Sequence, residues 1–244
     1  MLDHITIRVS DRAASELFYD TVLAALGSAR RSGHQEYTVW NGEFSLAHAA
    51  ADNLVTWRLH AAFMAPSREH VDAFWRAGVE AGYRDDGKPG PRPQYSSTYY
   101  GGFLLDPDGN SAEAVHHDGE REPGRIDHLW IRVADVSAAK EFYERVGPFG
   151  GFGLRRELPE RVQFVAATGS VSFVAGEPTE NVHLAFEATD NETVDAFHRE
   201  LTAAGYRDNG PPGERAFYHA GYYGAFVLDP DGNNVELVNH NREP

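Results

Sequence analysis

The most constraining feature of this 244-residue chain is an internal repeat. The segment Leu2–Val9 recurs as Ile126–Val133, with an Asp-His pair near the start of both copies. Three further blocks of the first half recur in the second half in the same order: Val71–Phe74 as Val194–Phe197, Ala81–Asp85 as Ala204–Asp208, and Leu105–Asn110 as Leu228–Asn233. A duplication of this kind restricts the chain to folds in which both halves share one architecture.

A polar stretch between the two copies marks the expected domain boundary. We predict an N-terminal domain at residues 1–117, a linker at residues 118–125 and a C-terminal domain at residues 126–244. Both domains fall in the roughly 100–200-residue range that is typical of globular domains. The chain is therefore predicted to be a tandem two-domain protein.

Within each half, the hydrophobic pattern repeats a second time. A strand of alternating polar and apolar residues is followed by a helical pattern and then by strand-like segments. In the first half, Asp11 and Ser67 precede the two helical patterns as candidate N-caps, and Asn41-Gly42 predicts a tight hairpin. Residues 83–98 are rich in turn-forming residues and have no clear assignment. The pattern predicts an α+β fold built from four βαβββ modules.

Composition narrows the classes of function. The formal net charge of −15 argues against binding to nucleic acids and to anionic membranes. The sequence contains no apolar run long enough for a transmembrane helix, and its N-terminus does not resemble a secretory signal, so a cytoplasmic location is expected. Cysteine is absent, which excludes disulfides, thiolate metal sites and cysteine nucleophiles. Histidine and carboxylate side chains remain as the plausible metal ligands.

Residues of this type occur on equivalent strands of both halves. Alternate residues of a strand point to opposite faces, and the candidate ligands lie opposite the apolar residues that would pack beneath a helix. They are His4, His60 and Glu113 in the N-terminal half and His128, His183 and Glu236 in the C-terminal half. Two imidazoles and one carboxylate suit Fe²⁺ and similar divalent ions. Duplication would preserve a structural histidine equally well, so periodicity alone leaves that alternative open.

These features together resemble the vicinal oxygen chelate superfamily, which includes glyoxalase I, extradiol dioxygenases, fosfomycin-resistance enzymes and bleomycin-resistance proteins. The resemblance rests on the βαβββ modules, the Asp-His opening strands and the Asp-Pro-Asp-Gly-Asn turns that precede Glu113 and Glu236, and it covers nearly the whole chain. It implies that paired modules form two cup-shaped mixed β-sheets with helices outside. It also implies one metal centre per half, formed by the three candidate ligands of that half. The metal would be Fe²⁺, with Mn²⁺, Ni²⁺ and Zn²⁺ as alternatives.

Differences between this sequence and individual subfamilies limit which of them it resembles. Glyoxalase I members use a fourth, carboxylate ligand, but Glu43 has no counterpart in the second half, so that set is not predicted. Ring-cleaving dioxygenases usually carry a tyrosine where this sequence has Phe103 and Phe226. His219 matches their acid–base histidine, and Tyr222 could donate a hydrogen bond to a bound oxyanion. A surface role for His219 and a packing role for Tyr222 are the alternatives.

The resemblance predicts a metal-dependent enzyme that chelates two neighbouring oxygens of a small-molecule substrate. The reaction would be that of a dioxygenase, a lyase or an isomerase. The alternative is a non-catalytic protein that sequesters a drug or metabolite, as bleomycin-resistance members do. The sequence leaves open the substrate, the number of active cups and the formation of a homodimer.

Overall fold

The computed structural model describes residues 2–28, 30–33, 36–118, 122–167 and 169–241. Residues 119–121 of the expected linker lie outside this described part. The described residues form four helices and sixteen strands, which confirms the α+β class. None of the described helices combines the length and the apolar character needed to cross a bilayer.

Each module consists of a strand, a helix and three further strands, as predicted. The first two modules comprise β1 (Leu2–Val9), α1 (Arg12–Ala24), β2 (Arg30–Gly33), β3 (Tyr37–Trp40), β4 (Phe44–His48), β5 (His60–Met64), α2 (Arg68–Glu80), β6 (Arg84–Pro91), β7 (Tyr100–Leu105) and β8 (Ser111–His116). The last two comprise β9 (Ile126–Val133), α3 (Val136–Gly150), β10 (Gly153–Leu158), β11 (Arg161–Val165), β12 (Ser170–Ala175), β13 (His183–Glu187), α4 (Asn191–Ala203), β14 (Asp208–Glu214), β15 (Tyr223–Leu228) and β16 (Asn234–Asn239).

Most of the local signals have the predicted effect. Asp11 accepts a hydrogen bond from a backbone N–H in the first turn of α1, and Ser67 occupies the N-cap of α2 without such a side-chain bond. Asn41 and Gly42 both have positive φ, at 52° and 74°, which is the geometry of the predicted hairpin. The unassigned stretch 83–98 contains β6. This strand lies at a sheet edge and has register shifts, and edge strands tolerate the prolines and glycines that obscured its pattern.

The strands form two mixed sheets, as predicted, but each sheet takes its strands from one module of each sequence half rather than from the two modules of one half. Their hydrogen-bonded orders are β14-β15-β16-β13-β1-β4-β3-β2 and β10-β11-β12-β9-β5-β8-β7-β6. Strands β5 and β8 are parallel, as are β13 and β16, whereas β5 and β9 are antiparallel. The opening strand of one module therefore lies directly beside the closing strand of the same module.

The contacts between Cα atoms divide the chain into two compact units. One unit comprises Thr6–Trp130 and is called the central unit below; the other comprises Met1–Ile5 with Ile131–Pro244 and is called the terminal unit. The boundaries fall inside β1 and β9, so the units differ from the two sequence halves. The start of β1 belongs with the C-terminal modules, and the start of β9 belongs with the N-terminal modules.

Each unit buries several large aromatic side chains beneath its helices. In the central unit α2 packs on β6, β7 and β8, and in the terminal unit α4 packs on β14, β15 and β16. The largest buried side chains include Phe18, Phe63 and Phe74 in the central unit and Phe142, Phe173 and Phe197 in the terminal unit. Because neighbouring strand residues alternate between faces, the polar residues of β5, β8, β13 and β16 are left on the face opposite the helices.

Candidate metal centres

The six predicted ligands form two groups of three. The His60 centre contains His60, Glu113 and His128, and the His183 centre contains His4, His183 and Glu236. In each group, one ligand atom from every residue lies within 4.8 Å of the others. The prediction of one centre per sequence half is therefore corrected: the structure exchanges His4 and His128 between the groups expected from the halves.

Strand pairing explains this exchange. Ala62 of β5 lies opposite His128 of the antiparallel strand β9 and opposite Glu113 of the parallel strand β8. His60 precedes Ala62 by two residues and so lies on the same face. In the terminal unit β13 is likewise flanked by β16 and β1, which places His183 between the strands of Glu236 and His4. His60 and His183 each lie on the middle one of three neighbouring strands. Each therefore meets one ligand from the strand on either side.

A small residue separates the ligands within each sheet. Ala62 is fully buried and lies in register between His128 and Glu113, where its methyl group leaves room for both side chains. The terminal unit has a fully buried alanine, Ala185, opposite Glu236. Residues directly opposite each other on adjacent strands have Cβ atoms only about 4.5–5.5 Å apart, so a larger side chain at either alanine would reach the ligands.

In both centres, the two oxygens of the glutamate have different partners. Oε2 of Glu113 lies 2.9 Å from Nε2 of His60 and 3.5 Å from Nε2 of His128. Its Oε1 accepts a hydrogen bond of 2.7 Å from the hydroxyl of Tyr99. The tyrosine therefore holds one oxygen and leaves the other facing both imidazoles, which is the arrangement expected of a monodentate metal ligand.

The His183 centre repeats this geometry. Oε2 of Glu236 lies 2.8 Å from Nε2 of His183 and 3.8 Å from Nε2 of His4, and its Oε1 accepts a 2.7 Å hydrogen bond from Tyr222. A Cβ atom at Gly224 would lie 2.6 Å from Oε1. This glycine of β15 thus makes room for the buried carboxylate on the neighbouring strand.

Aspartates of the Asp-His pairs fix the orientation of two histidine ligands. Nδ1 of His128 is 2.8 Å from Asp127, and Nδ1 of His4 is 2.6 Å from Asp3. A carboxylate at Nδ1 holds the ring in place, and its Nε2 faces the centre, as is usual for histidines that bind metals. The pairs therefore contribute one ligand and one supporting carboxylate each.

A second histidine contacts each of these aspartates, and sequence reasoning did not assign it this role. Nε2 of His117 is 2.8 Å from Asp127, and Nε2 of His240 is 2.8 Å from Asp3. His117 is the last residue of the predicted N-terminal domain and borders the predicted linker. The repeat carries the missed signal, because His117 and His240 occupy equivalent positions just after β8 and β16.

Electrostatic interactions within the His60 centre oppose the effect of burial. Burial raises the pKa of Glu113, but hydrogen bonds with His128 and His60 outweigh it and lower that pKa to about 2. Burial lowers the pKa of His128, but contacts with Asp127 and Glu113 raise it to about 9. In the His183 centre, Asp3 and Glu236 likewise raise the pKa of His4 against the effect of its burial. A cation that binds here therefore competes with the Nε2 proton, and ligand binding of this kind is pH-dependent.

The two predicted catalytic residues lie at different distances from the His183 centre. Tyr222 contacts Glu236 directly, as described above. Nε2 of His219 is 2.9 Å from Nδ1 of His240, and its ring is exposed. Within the described part of the chain, His219 is connected to the ligand His4 through His240 and Asp3 rather than by direct contact.

Glu43 has a structural role in the central unit. Its carboxylate forms an ion pair with Arg125, with 2.8 Å between Oε1 and Nε, and accepts a 3.2 Å hydrogen bond from the backbone of Ile126. Both oxygens are therefore engaged away from the two groups of ligands. In this arrangement Glu43 pairs with Arg125 and belongs to neither group of candidate ligands.

Aromatic rings surround the His60 centre. The ring of Trp130 lies 6.1 Å from His60, and Tyr95 meets Trp130 edge to face at 5.9 Å. Tyr95 is 47% exposed, so this aromatic wall continues to the protein surface. The donor set of each centre, two imidazoles and one carboxylate, fits Fe²⁺ and similar divalent ions and leaves coordination positions for other ligands.

Comparisons with known proteins agree with this architecture. The model of the Glyoxalase/Bleomycin resistance protein/Dioxygenase superfamily matches residues 1–114 and 125–237. Glyoxalase I from Zea mays has a similar structure, with a TM-score of 0.70 and 19% identity over 98% of this chain and 92% of that chain. A putative dioxygenase from Bacillus subtilis has a TM-score of 0.68 and 13% identity over 99% of this chain and 85% of that chain. No curated protein matches the sequence significantly. Since the two family matches span most of its length, the chain belongs to the Glyoxalase/Bleomycin resistance protein/Dioxygenase superfamily.

Proposed function

We propose that the protein is a metal-dependent enzyme of the glyoxalase/dioxygenase type that acts on a small-molecule substrate with two neighbouring oxygens. The observation that carries this proposal is the pair of 2-His-1-Glu groups, in which the ligand atoms lie within 4.8 Å of one another. Three protein ligands leave coordination positions for both substrate oxygens. When bound, Fe²⁺, or alternatively Mn²⁺, Ni²⁺ or Zn²⁺, would act as a Lewis acid that stabilises negative charge on those oxygens.

The residues around the ligands prepare each centre for this task. Tyr99 and Tyr222 hold one oxygen of each glutamate, and Asp3 and Asp127 orient one histidine in each centre. Buried hydrogen bonds of this kind keep a site near its productive geometry without reorganisation during the reaction. The donor set is therefore arranged before substrate binds.

His219 and Tyr222 have distinct proposed roles in the His183 centre. Tyr222 positions Glu236 through its hydroxyl group, whereas His219 acts on His4 through His240 and Asp3. Metal affinities of Tyr222→Phe and His219→Ala variants test both roles. A role for His219 as an acid–base group at the substrate would require it to move from the position described above.

The metal content of the purified protein tests the proposed function. Protein prepared with Fe, Mn, Ni and Zn in excess should retain one of these metals at about two ions per chain, and His60→Ala or His183→Ala should each reduce that amount to about one. His70→Ala is a matched control, since His70 is exposed on α2 away from both groups. Absence of any specifically bound metal would refute the proposal and favour a metal-independent binding protein instead.

A further inference from the structure

A guanidinium group lies beside the His60 centre. Cζ of Arg92 is 5.3 Å from the ring centre of Phe103, and that ring lies 5.9 Å from the imidazole of His60. Phe103 is directly opposite Glu113 in the register of β7 and β8, so its side chain projects to the same face as the metal ligands. A single phenyl ring therefore separates a positive charge from a candidate metal ligand.

The terminal unit repeats this arrangement. Cζ of Arg215 is 5.5 Å from the ring centre of Phe226, and that ring lies 6.1 Å from the imidazole of His183. Phe226 is directly opposite Glu236 in the register of β15 and β16. Each centre thus combines two histidines and one glutamate with a phenylalanine and an arginine at equivalent positions.

Backbone carbonyls hold both guanidinium groups in place. Each donates hydrogen bonds to two backbone carbonyls, including that of Lys88 at 2.9 Å for Arg92 and that of Pro211 at 2.7 Å for Arg215. In the described part of the chain, no carboxylate forms an ion pair with either arginine. A guanidinium has five N–H donors, so donors and the full charge remain for a ligand.

Glycines in the edge strands make room for these groups. A Cβ atom at Gly90 of β6 would lie 3.1 Å from Nη1 of Arg92, and one at Gly213 of β14 would lie 2.8 Å from Nη1 of Arg215. A side chain at either position would crowd the guanidinium, which would then have to shift. The backbone of each edge strand is therefore shaped to accept the arginine on the face that carries the metal ligands.

We propose that Arg92 and Arg215 each bind a carboxylate group of the substrate, while its two neighbouring oxygens are held at the metal centre. A planar guanidinium binds a carboxylate through two parallel hydrogen bonds, and the flanking ring keeps its plane fixed. Because the chain carries a formal net charge of −15, a local positive charge would favour the approach of an anionic group to each centre. This inference rests on the proposed function and makes both arginines specificity-determining residues.

Two chelators that differ by one carboxylate test the inference. Catechol and 3,4-dihydroxybenzoate carry the same pair of adjacent hydroxyl groups, and the second compound adds an anionic group on the opposite side of the ring. Each is titrated into Co²⁺-loaded full-length protein, and binding is followed by the visible absorption of the metal. A His183→Ala background confines the measurement to the His60 centre.

The quantity of interest is the ratio of the two dissociation constants. We expect Arg92→Met to reduce the preference for 3,4-dihydroxybenzoate by about tenfold, because a hydrogen bond to a charged group is lost, and to leave the affinity for catechol unchanged. Arg92→Lys retains the charge without the planar donor pair and should retain part of the preference. Arg76→Met, at an exposed position of α2, should retain all of it.

Two results would overturn the inference, and they differ in what they mean. An unchanged preference in folded Arg92→Met protein that still binds Co²⁺ and catechol would overturn the arginine subsite and leave the proposed function intact. Failure of the Arg92-containing protein to take up Co²⁺ or to respond to catechol would overturn the proposed function, and the subsite with it. Circular dichroism of each variant shows whether the substitution has altered the fold.

Discussion

Double substitutions of the candidate ligands test which histidines share a metal ion. The structure and the sequence halves predict different groups. His4 and His183 lie in different sequence halves, yet their rings lie 5.2 Å apart and their Nε2 atoms face the same oxygen of Glu236, at 3.8 and 2.8 Å. Both imidazoles should therefore bind one and the same ion. His60 belongs to the other group, so it should bind a different ion.

These contacts lead to a quantitative expectation for metal content. The unsubstituted protein should hold about two ions per chain, and His4→Ala or His183→Ala should each hold about one. The double variant His4→Ala/His183→Ala should still hold about one ion, because both substitutions remove ligands from the same centre. By contrast, His4→Ala/His60→Ala should hold none, because each substitution disables a different centre.

Elemental analysis after dialysis against metal-free buffer measures these values. Circular dichroism of every variant, together with His70→Ala as a surface control, shows that any loss is not caused by unfolding. A grouping by halves predicts the reverse result for the two double variants. If His4→Ala/His183→Ala held no metal and His4→Ala/His60→Ala held one ion, the strand pairing described above could not be correct.

Four further substitutions test contacts around the ligands and in the buried turn that contains Asp106. Ala62→Leu should remove metal from the His60 centre alone, as measured by metal analysis. Overpacking should also lower its free energy of unfolding in urea by about 1–3 kcal/mol. Retention of both ions would contradict this prediction. Competition titrations with a chelator should show that Tyr222→Phe weakens metal binding about 10–100-fold. His219→Ala should weaken it less, since His219 does not contact the ligands directly. An equal affinity of both variants and the unsubstituted protein would exclude both roles. Burial raises the pKa of Asp106 from 3.8 to about 6, so its stabilising contribution is present below pH 3.8 and is lost as the pH rises through 6. Relative to Asp106→Asn, the free energy of unfolding should therefore fall by about 2 kcal/mol between pH 4 and pH 6, and parallel pH profiles of the two proteins would disprove the shift.

The ligand residues could be predicted from the sequence because they depend on strand alternation. In β9, Leu129 and Ile131 point to one face and are buried as expected, and His128 points to the other face. The same rule placed Glu113 and Glu236 on the face opposite the helices. Since alternation is a property of each strand by itself, no knowledge of its neighbours is needed.

The supporting residues were harder to predict because they act across strands. His117 lies in a polar stretch that resembles a solvated linker, and its contact with Asp127 arises only when the end of β8 meets the start of β9. His219 presented the opposite case. Its position before β15 suggested direct access to the ligands, but the fold places it at the outer end of a chain that passes through His240.

The sequence by itself determined the repeat, the four modules, the buried face of each strand and the six residues that offer ligand atoms. It could not determine which three of the six meet. The modules are so similar that either histidine from an opening strand satisfies the local pattern equally well. That choice was decided by the tertiary structure, in which β5 pairs with β9 and β13 pairs with β1. The physical reason is that alternation is set within a strand, whereas the identity of its neighbour depends on hydrogen bonds between segments far apart in the chain.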